Sequence, residues 1–301
     1  MSPRSLFCLS RLGGYWGENC KYEYRQRSNS LTYMVNQKRI LLSLIQGQEG
    51  RAWALDKNGW KVNGEISVCS WDYILCDSYG TVVIGINMYE ADFIGSLPSE
   101  LGQLTTLEKI SMRRNLIFGS LPREIGKLPH LERIFLESNR ITGSIPNFDS
   151  PKLKTLELAN NLLSGSLDNN FLRSNFDLVE LDLAHNKIQG ILPISIENCK
   201  RLQILSLSEN EFSGTIHDFF GRKRSFKYLY LNGNSLMGTI PSTFSDQSSS
   251  VKKLWLQNNL LTGTVPAELG EMPELSDFYI DGECIYCTTL YKLIYAKRIL
   301  I

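Results

Sequence analysis

The amino-acid sequence predicts an α/β solenoid, in which short parallel strands stack into one concave sheet behind a helical N-terminal cap. Three observations predict it: a phrase that recurs along the chain, an asparagine and a glycine at fixed places within the phrase, and a strand-like apolar alternation before them. Successive phrases start 22 to 25 residues apart, at Val83, Leu107, Leu131, Leu153, Leu178, Leu202, Phe226 and Val251, with a partial ninth start at Leu275. A fixed period of this length is typical of repeats that bury their apolar sides against one another.

Each unit opens with the pattern Leu-x-x-Leu-x-Leu, which is seen cleanly at Leu131, Ile134 and Leu136. This alternation predicts a short strand whose apolar residues point inward and whose intervening residues point to one face. One such strand per unit gives a parallel sheet with strands about 4.8 Å apart. The remainder of each unit, such as Ser99 to Leu104, is expected to form a short helix or turn on the outer face.

Polar and small residues mark the end of each strand. An asparagine follows the strand in seven units, and its amide is expected to link backbone groups of adjacent turns: Asn115, Asn139, Asn161, Asn186, Asn210, Asn234 and Asn259. A glycine recurs where a side chain would not fit: Gly95, Gly119, Gly143, Gly165, Gly190, Gly214, Gly238 and Gly263. Proline closes six of the eight phrases, whereas Asp168 and His217 take its place in the other two.

These Asn-x-Leu-x-Gly-x-[Ile/Leu]-Pro phrases resemble those of the plant-type leucine-rich-repeat family, and the resemblance covers about two-thirds of the chain. The resemblance implies a right-handed superhelix with a second short strand at the Gly-x-[Ile/Leu]-Pro segment. It also implies recognition outside the cell, as in receptor ectodomains and secreted inhibitor proteins.

The flanks of the repeats predict caps. Residues 1–30 are expected to be poorly ordered, 31–82 to form an N-terminal cap, 83–283 to hold eight repeats and a partial ninth, and 284–301 to form a C-terminal cap or tail. Residues from Tyr33 to Gln46 read as an amphipathic helix. The segment from Cys69 to Cys76 resembles the family's N-terminal cap, which implies a Cys69–Cys76 disulfide; two reduced cysteines are the alternative.

The other cysteines give weaker expectations. Cys199 is expected to be buried and unpaired. Cys284 and Cys287 form a Cys-x-x-Cys pair, which favours a C-terminal disulfide or two plain thiols over a metal site, because the sequence holds no second such pair. We therefore expect no metal and no cofactor.

The amino-acid composition limits the classes of partner that the protein is expected to bind. The chain has 301 residues and 32 basic against 31 acidic side chains, a formal charge of +1 that gives no electrostatic case for nucleic acid or anionic membrane. No apolar run approaches the ~18 residues of a membrane span. Arg11 interrupts the apolar run near the start, so a secretory core segment is absent; either the protein stays inside the cell or the true reading frame starts elsewhere.

No catalytic constellation is present in the sequence, and the protein is not expected to be an enzyme. Phosphate-binding, nucleophile-elbow and zinc-protease motifs are all missing. Glu157 and Asp182 fall on adjacent strands, but carboxylates on an open face are expected to be solvated surface.

The outward strand positions form columns that predict the binding surface, with a basic N-terminal end, an acidic middle and an aromatic C-terminal end. Exposed aromatic residues beside a cation are typical of recognition hot spots, although packing within the sheet is an equal alternative. The candidate ligand-binding residues are Arg113, Arg133, Phe135, Glu157, Asp182, Tyr228, Tyr230, Lys253, Trp255 and Tyr279.

Together these features predict a non-catalytic recognition protein that binds a protein, peptide or glycan on its concave face. A receptor-like role in extracellular defence or signalling, with a receptor or co-receptor partner, follows from the resemblance. Two alternatives remain open: an intracellular scaffold or assembly subunit, favoured by the absence of any Asn-x-Ser/Thr glycosylation acceptor, and a fragment of a longer membrane-anchored receptor.

Overall fold

The structure is a computed structural model, which describes residues 33–45, 60, 67–245, 250–266, 269–270, 272–280 and 298–300. The segment 1–30 and the Cys284–Cys287 pair lie outside the described residues, so the expectations for them stay predictions. The described part of the chain forms the predicted solenoid.

One strand per repeat builds the concave sheet, which has 11 strands among the described residues. In spatial order these are β1 (Ile74–Cys76), β2 (Val83–Asn87), β4 (Lys109–Ser111), β6 (Arg133–Phe135), β8 (Thr155–Glu157), β10 (Glu180–Asp182), β12 (Ile204–Ser206), β14 (Tyr228–Tyr230), β16 (Lys253–Trp255), β18 (Asp277–Tyr279) and β19 (Arg298–Leu300). From β2 to β19 every pair is parallel, whereas β1 pairs antiparallel with β2 at the N-terminal edge.

A second sheet runs along one flank of the solenoid, as the family resemblance implies. We call it the lateral sheet; it comprises β3 (Ile94–Ser96), β5 (Leu116–Ser120), β7 (Arg140–Gly143), β9 (Leu162–Ser166), β11 (Lys187–Ile191), β13 (Glu211–Thr215), β15 (Ser235–Gly238) and β17 (Leu260–Leu261). Seven of its strands, β5 to β17, start at the residue after a repeat asparagine. A residue such as Gly190 adopts φ +91° here, and an added Cβ would come within 3.1 Å of the Ser166 Cβ.

The outer face carries short helices, as predicted from Ser99 to Leu104. They are single 3₁₀ turns at Ser99–Gln103, Ile125–Lys127, Ile194–Asn198 and Ser242–Ser245, and one turn of α-helix, α2, at Phe219–Arg222. Three of them follow a proline, Pro98, Pro193 or Pro241, whose fixed φ suits the start of a helix. The apolar residues under these turns join those of the strands in one continuous buried cluster from Ile40 to Ile280.

The repeat asparagines bond as the sequence predicts. The Asn161 amide donates to the carbonyls of Leu158 and Ala159 in its own turn and of Leu136 in the preceding turn, at 3.0, 3.2 and 3.0 Å. Its Oδ1 accepts the backbone N–H of Ile141 at 3.0 Å. Each asparagine therefore satisfies buried backbone groups of two repeats at once, which a strand-to-turn bend in a core requires.

The N-terminal cap covers the open end of the core. Residues 33–43 form a helix, α1, and Gln37 from this helix accepts the Val83 N–H at 2.6 Å and donates to the Thr81 carbonyl at 3.2 Å. These bonds occupy the edge where the first repeat has no preceding neighbour. The Cys69–Cys76 disulfide is formed, as the resemblance implied, and Cys199 is buried and free, as predicted.

Candidate functional site

The concave sheet places the predicted columns side by side. The strands pair in register, so Ser111, Phe135, Glu157 and Asp182 are direct neighbours along one column, and the same column continues through Ser206 to the aromatic end. Parallel strands in register bring equivalent side chains about 4.8 Å apart. The sheet therefore holds the candidate residues on one surface without any loop to position them.

The aromatic end is a continuous stack of rings on three adjacent strands. The Trp255 ring lies edge-on to Tyr230 at a centroid distance of 4.8 Å and to Tyr279 at 5.1 Å, while Tyr228 lies parallel to Tyr230 at 6.5 Å. We call Tyr228, Tyr230, Trp255 and Tyr279 the aromatic step. The rings are half-buried rather than exposed as expected, because the edge-to-face contacts cover part of each face.

Three polar atoms beside the aromatic step are shielded from solvent and make no hydrogen bond to any described residue. They are Trp255 Nε1, which is a donor, and the acceptors Gln257 Oε1 and Asn232 Oδ1. Gln257 and Asn232 occupy the same outward column, since the Gly233 N–H donates to the Gln257 carbonyl at 2.9 Å. An unpaired buried polar group costs about 1–3 kcal/mol, so turning the Asn232 and Gln257 amides outward towards a ligand that donates hydrogen bonds is favourable.

Asn232 and Gln257 are not among the candidate residues that the sequence pattern predicts. Amides at outward positions next to aromatic residues were the available signal. Asn232 Nδ2 donates to Glu209 Oε1 at 3.3 Å, and the amide oxygens are the solvent-shielded atoms of the two residues that lack a partner among the described residues. This arrangement depends on side-chain rotamers, which a repeat pattern does not encode.

The cation predicted to flank the aromatic step is already engaged. Lys253 Nζ lies 3.6 Å from the Asp277 carboxylate, and both residues belong to the outward column next to the rings. The charge of Lys253 is therefore balanced by Asp277, and Lys253 does not present a free positive charge beside the aromatic step.

The acidic middle of the face is not ordinary solvated surface. Glu157 and Asp182 are neighbours on β8 and β10, and Glu180 stands beside Thr155 on the same strands. Burial raises the pKa of Glu157 to about 7, and repulsion from Glu137, Glu180 and Asp182 adds to the effect. Burial also raises the pKa of Glu180. Close to neutral pH this cluster therefore holds a proton that isolated carboxylates would release.

The basic end contacts the acidic middle through an ion pair that the sequence pattern did not indicate. Arg113 forms a 3.1 Å ion pair with Glu137, and its guanidinium lies 5.4 Å from the Phe135 ring centroid and 4.9 Å from that of Tyr89. The physical reason is reach, because a long arginine side chain spans the strand spacing and finds both a carboxylate and a ring. Arg133 lies 3.6 Å from Glu132.

The ten candidate residues fall into two groups on the face. Phe135, Arg113, Arg133, Glu157 and Asp182 form an ionic group at the N-terminal half, and the aromatic step with Lys253 forms the other. Between them lies β12, where Ser206 and the nearby Ser208 are small and buried, each with a relative exposure of 8%. The structure therefore brings the candidate residues together within each of the two groups, but it does not join the groups into one site.

Within the residues that the structure describes, no cluster of His, Cys, Asp and Glu is arranged to hold a metal ion. Over the same residues no helix has the length and apolar character needed to cross a membrane.

Comparison with known proteins identifies the repeats. Residues 151–212 match a family model described as leucine rich repeat, and residues 225–247 and 250–272 match a second leucine rich repeat model. Receptor like protein 24 of Arabidopsis thaliana is 35% identical over 109 residues, which are 33% of this chain and 12% of that protein. The chain thus spans about an eighth of that relative's length.

Solved structures agree with the fold. The leucine-rich-repeat ectodomain of the Arabidopsis thaliana membrane receptor kinase GASSHO1/SCHENGEN3, in complex with Casparian strip integrity factor 2, superposes with a TM-score of 0.74 and 27% identity over 82% of this chain and 30% of its own. The Arabidopsis receptor kinase HAESA, in complex with the peptide hormone IDA and the co-receptor SERK1, gives a TM-score of 0.69 and 30% identity over 80% of this chain and 40% of its own.

Proposed function

The chain is a plant-type leucine-rich-repeat protein, and we propose from this premise that it is a receptor-like recognition protein without catalytic activity. Its ligand is a peptide or an extended protein segment that lies on the concave face. The aromatic step and the adjacent Asn232 and Gln257 form the main contact.

The observation that carries this proposal is the combination of stacked rings with unpaired polar atoms at one corner of the face. Trp and Tyr provide large apolar contact with few rotatable bonds, which is why they dominate binding hot spots. Here Tyr230 and Tyr279 hold the Trp255 ring in place before any ligand arrives. A ligand that covers such a preorganised ring loses less conformational freedom on binding.

A peptide matches the chemistry of the unpaired atoms. When the Asn232 and Gln257 side chains turn towards a bound peptide, Asn232 Oδ1 and Gln257 Oε1 accept hydrogen bonds from its backbone N–H groups. The solved ectodomain of HAESA, which shares this fold, is in complex with a peptide hormone and a co-receptor. A peptide ligand and a co-receptor partner are therefore the proposal for this chain as well.

A location at the cell surface or outside the cell accompanies this role. Disulfides such as Cys69–Cys76 persist in oxidising compartments, whereas reducing conditions in the cytosol keep thiols free. The receptor-like relatives support the same location.

The proposal is tested by selecting peptides from a random display library on the immobilised protein and titrating the best binder calorimetrically. The variant Tyr230→Ala/Trp255→Ala is expected to bind at least about 30-fold more weakly, because two hot-spot rings are lost. The control variant is Tyr79→Ala, whose ring lies in the cap and is 86% exposed. It is expected to keep the affinity.

Thermal unfolding of each variant separates loss of binding from loss of folding. Failure to select any peptide, or a selected peptide that binds the folded double variant as tightly as the wild type, would overturn the proposal.

A further inference from the structure

A cavity of about 280 Å³ lies on the outer side of the solenoid, away from the concave face. The 3₁₀ turn Ile194–Asn198 of one repeat contributes one wall, and α2 with the residues after it contributes the other. The side chains that matter are Lys200, Phe219, Arg222, Lys223, Arg224 and Ser225. None of them takes part in the aromatic step or in the ionic group.

The lining is strongly positive. Four cations, Lys200, Arg222, Lys223 and Arg224, face one carboxylate, Glu197. Arg222 lies 3.6 Å from Asp218, with both side chains 67% exposed. Lys200 and Arg224 are exposed and form no ion pair with any described residue. Such a concentration of one charge in a concavity attracts an ion of the opposite sign.

Lys223 is held at the back of the cavity by backbone atoms rather than by a carboxylate. Its Nζ donates to the carbonyls of Ile196 and Glu197 at 2.9 and 3.0 Å and lies 5.5 Å from the Phe226 ring centroid. Among the described residues no oxygen or nitrogen atom accepts the third proton of the ammonium group. Burial lowers the pKa of Lys223 to about 8, and repulsion from Lys200 acts in the same direction. An anion in the cavity would offset this cost of burying a positive charge.

Ser225 adds a neutral donor. Its Oγ is shielded from water and has no hydrogen-bond partner in the part of the chain that the structure describes. The Phe219 ring, stacked on Phe220 at a centroid distance of 4.3 Å, gives the cavity an apolar wall. The volume lies just below the ~300–1,000 Å³ of typical small-molecule pockets, so it accommodates an ion with a small organic group attached.

We propose that this cavity binds a phosphate or sulfate group, with Lys200, Lys223 and Arg224 supplying charge-assisted hydrogen bonds and Ser225 a neutral one after its side chain rotates towards the anion. A tetrahedral oxyanion accepts hydrogen bonds in several directions at once, and these donors come from two successive repeats. The site is independent of ligand binding on the concave face.

The test is calorimetric titration of the full chain with inorganic phosphate and with inorganic sulfate at pH 7 and low salt. The variant Lys200→Gln/Arg224→Gln is expected to bind about tenfold or more weakly, because charge-assisted bonds are lost. The matched control is Arg140→Gln/Lys187→Gln, which removes the same charge from exposed positions on the lateral sheet and is expected to bind normally. Ser225→Ala is a second test variant, and its affinity for the anion is expected to fall severalfold.

Glucose 6-phosphate separates the two sources of such a group. Binding tighter than that of inorganic phosphate assigns the cavity to an ester, and weaker binding assigns it to the free ion; both results support the proposal. Absence of binding by every probe, or equal weakening by the pocket variant and the control, would overturn it. The outcome of peptide selection on the concave face affects neither result.

Discussion

The Glu157 carboxyl illustrates how single residues of the face depart from ordinary surface behaviour. Its pKa rises from 4.5 to about 7 in the folded protein, so the native state keeps a proton that the unfolded state has released between these values. Stability therefore falls as the pH rises through this window, since the unfolded chain binds fewer protons than the native one. Below about pH 4.5 the penalty disappears.

Replacing Glu157 by Gln is expected to stabilise the protein by about 1–2 kcal/mol above pH 7, a value reduced from the full shift because the side chain is only half-buried. Below about pH 4.5 the variant and the wild type should unfold alike. Denaturant unfolding at several pH values measures this. Glu211→Gln, which removes an exposed carboxylate from the lateral sheet, is the matched control for the loss of one acidic group. A constant difference across pH would contradict the assignment.

The sequence predicted where single residues lie in the fold better than it predicted their backbone torsions and side-chain contacts. The sequence placed the columns, the repeat asparagines and the Cys199 thiol correctly. It did not indicate that the residue before each repeat asparagine takes a positive φ, as His185 and Glu209 do at 53° and 52°. It also missed the Arg113–Glu137 pair. The positive φ angles and the ion pair depend on local torsions that many residue types can adopt, so the sequence does not reveal them.

At the level of elements, each repeat contributes strands too short to be stable alone, and stacking stabilises them. The stability of a strand therefore depends on how many neighbouring repeats it packs against. Because the first repeat has no repeat before it, the cap must stabilise that side. Gln37 on α1 and the Cys69–Cys76 bond act at this edge. The second, lateral strand of each repeat was implied by the family resemblance and is present from β3 to β17. Periodicity alone predicted only the concave strand.

Removing the cap disulfide with Cys69→Ser/Cys76→Ser is expected to destabilise the N-terminal end by about 2–3 kcal/mol, from the loop entropy of a bridge seven residues apart. Thermal unfolding with and without reductant measures it. Reductant should lower the transition of the wild type towards that of the variant and leave the variant unchanged. Cys199→Ser should keep the wild-type response to reductant. A wild-type transition that ignores reductant would contradict the role of the bond.

Across the whole molecule, the residues that build the scaffold are different from those available to contact a partner. The residues that define the period are buried, and those that could specify a partner lie between them. The family, the sheet, the face and its aromatic C-terminal end were therefore predictable from the sequence, whereas the ion pair that joins the basic end to the acidic middle emerged only from side-chain contacts. The solvent-shielded atoms of Trp255, Asn232 and Gln257 make the aromatic half the proposed centre of binding.

Recognition on the concave face is tested most directly by photocrosslinking. A benzophenone is attached to a selected peptide, the complex is irradiated, and the adducts are located by mass spectrometry. Adducts are expected within residues 226–234, 251–259 and 275–280, which carry the aromatic step and its polar neighbours. Adducts concentrated on the lateral sheet, for example at Leu116–Ser120 or Lys187–Ile191, would contradict a concave recognition surface.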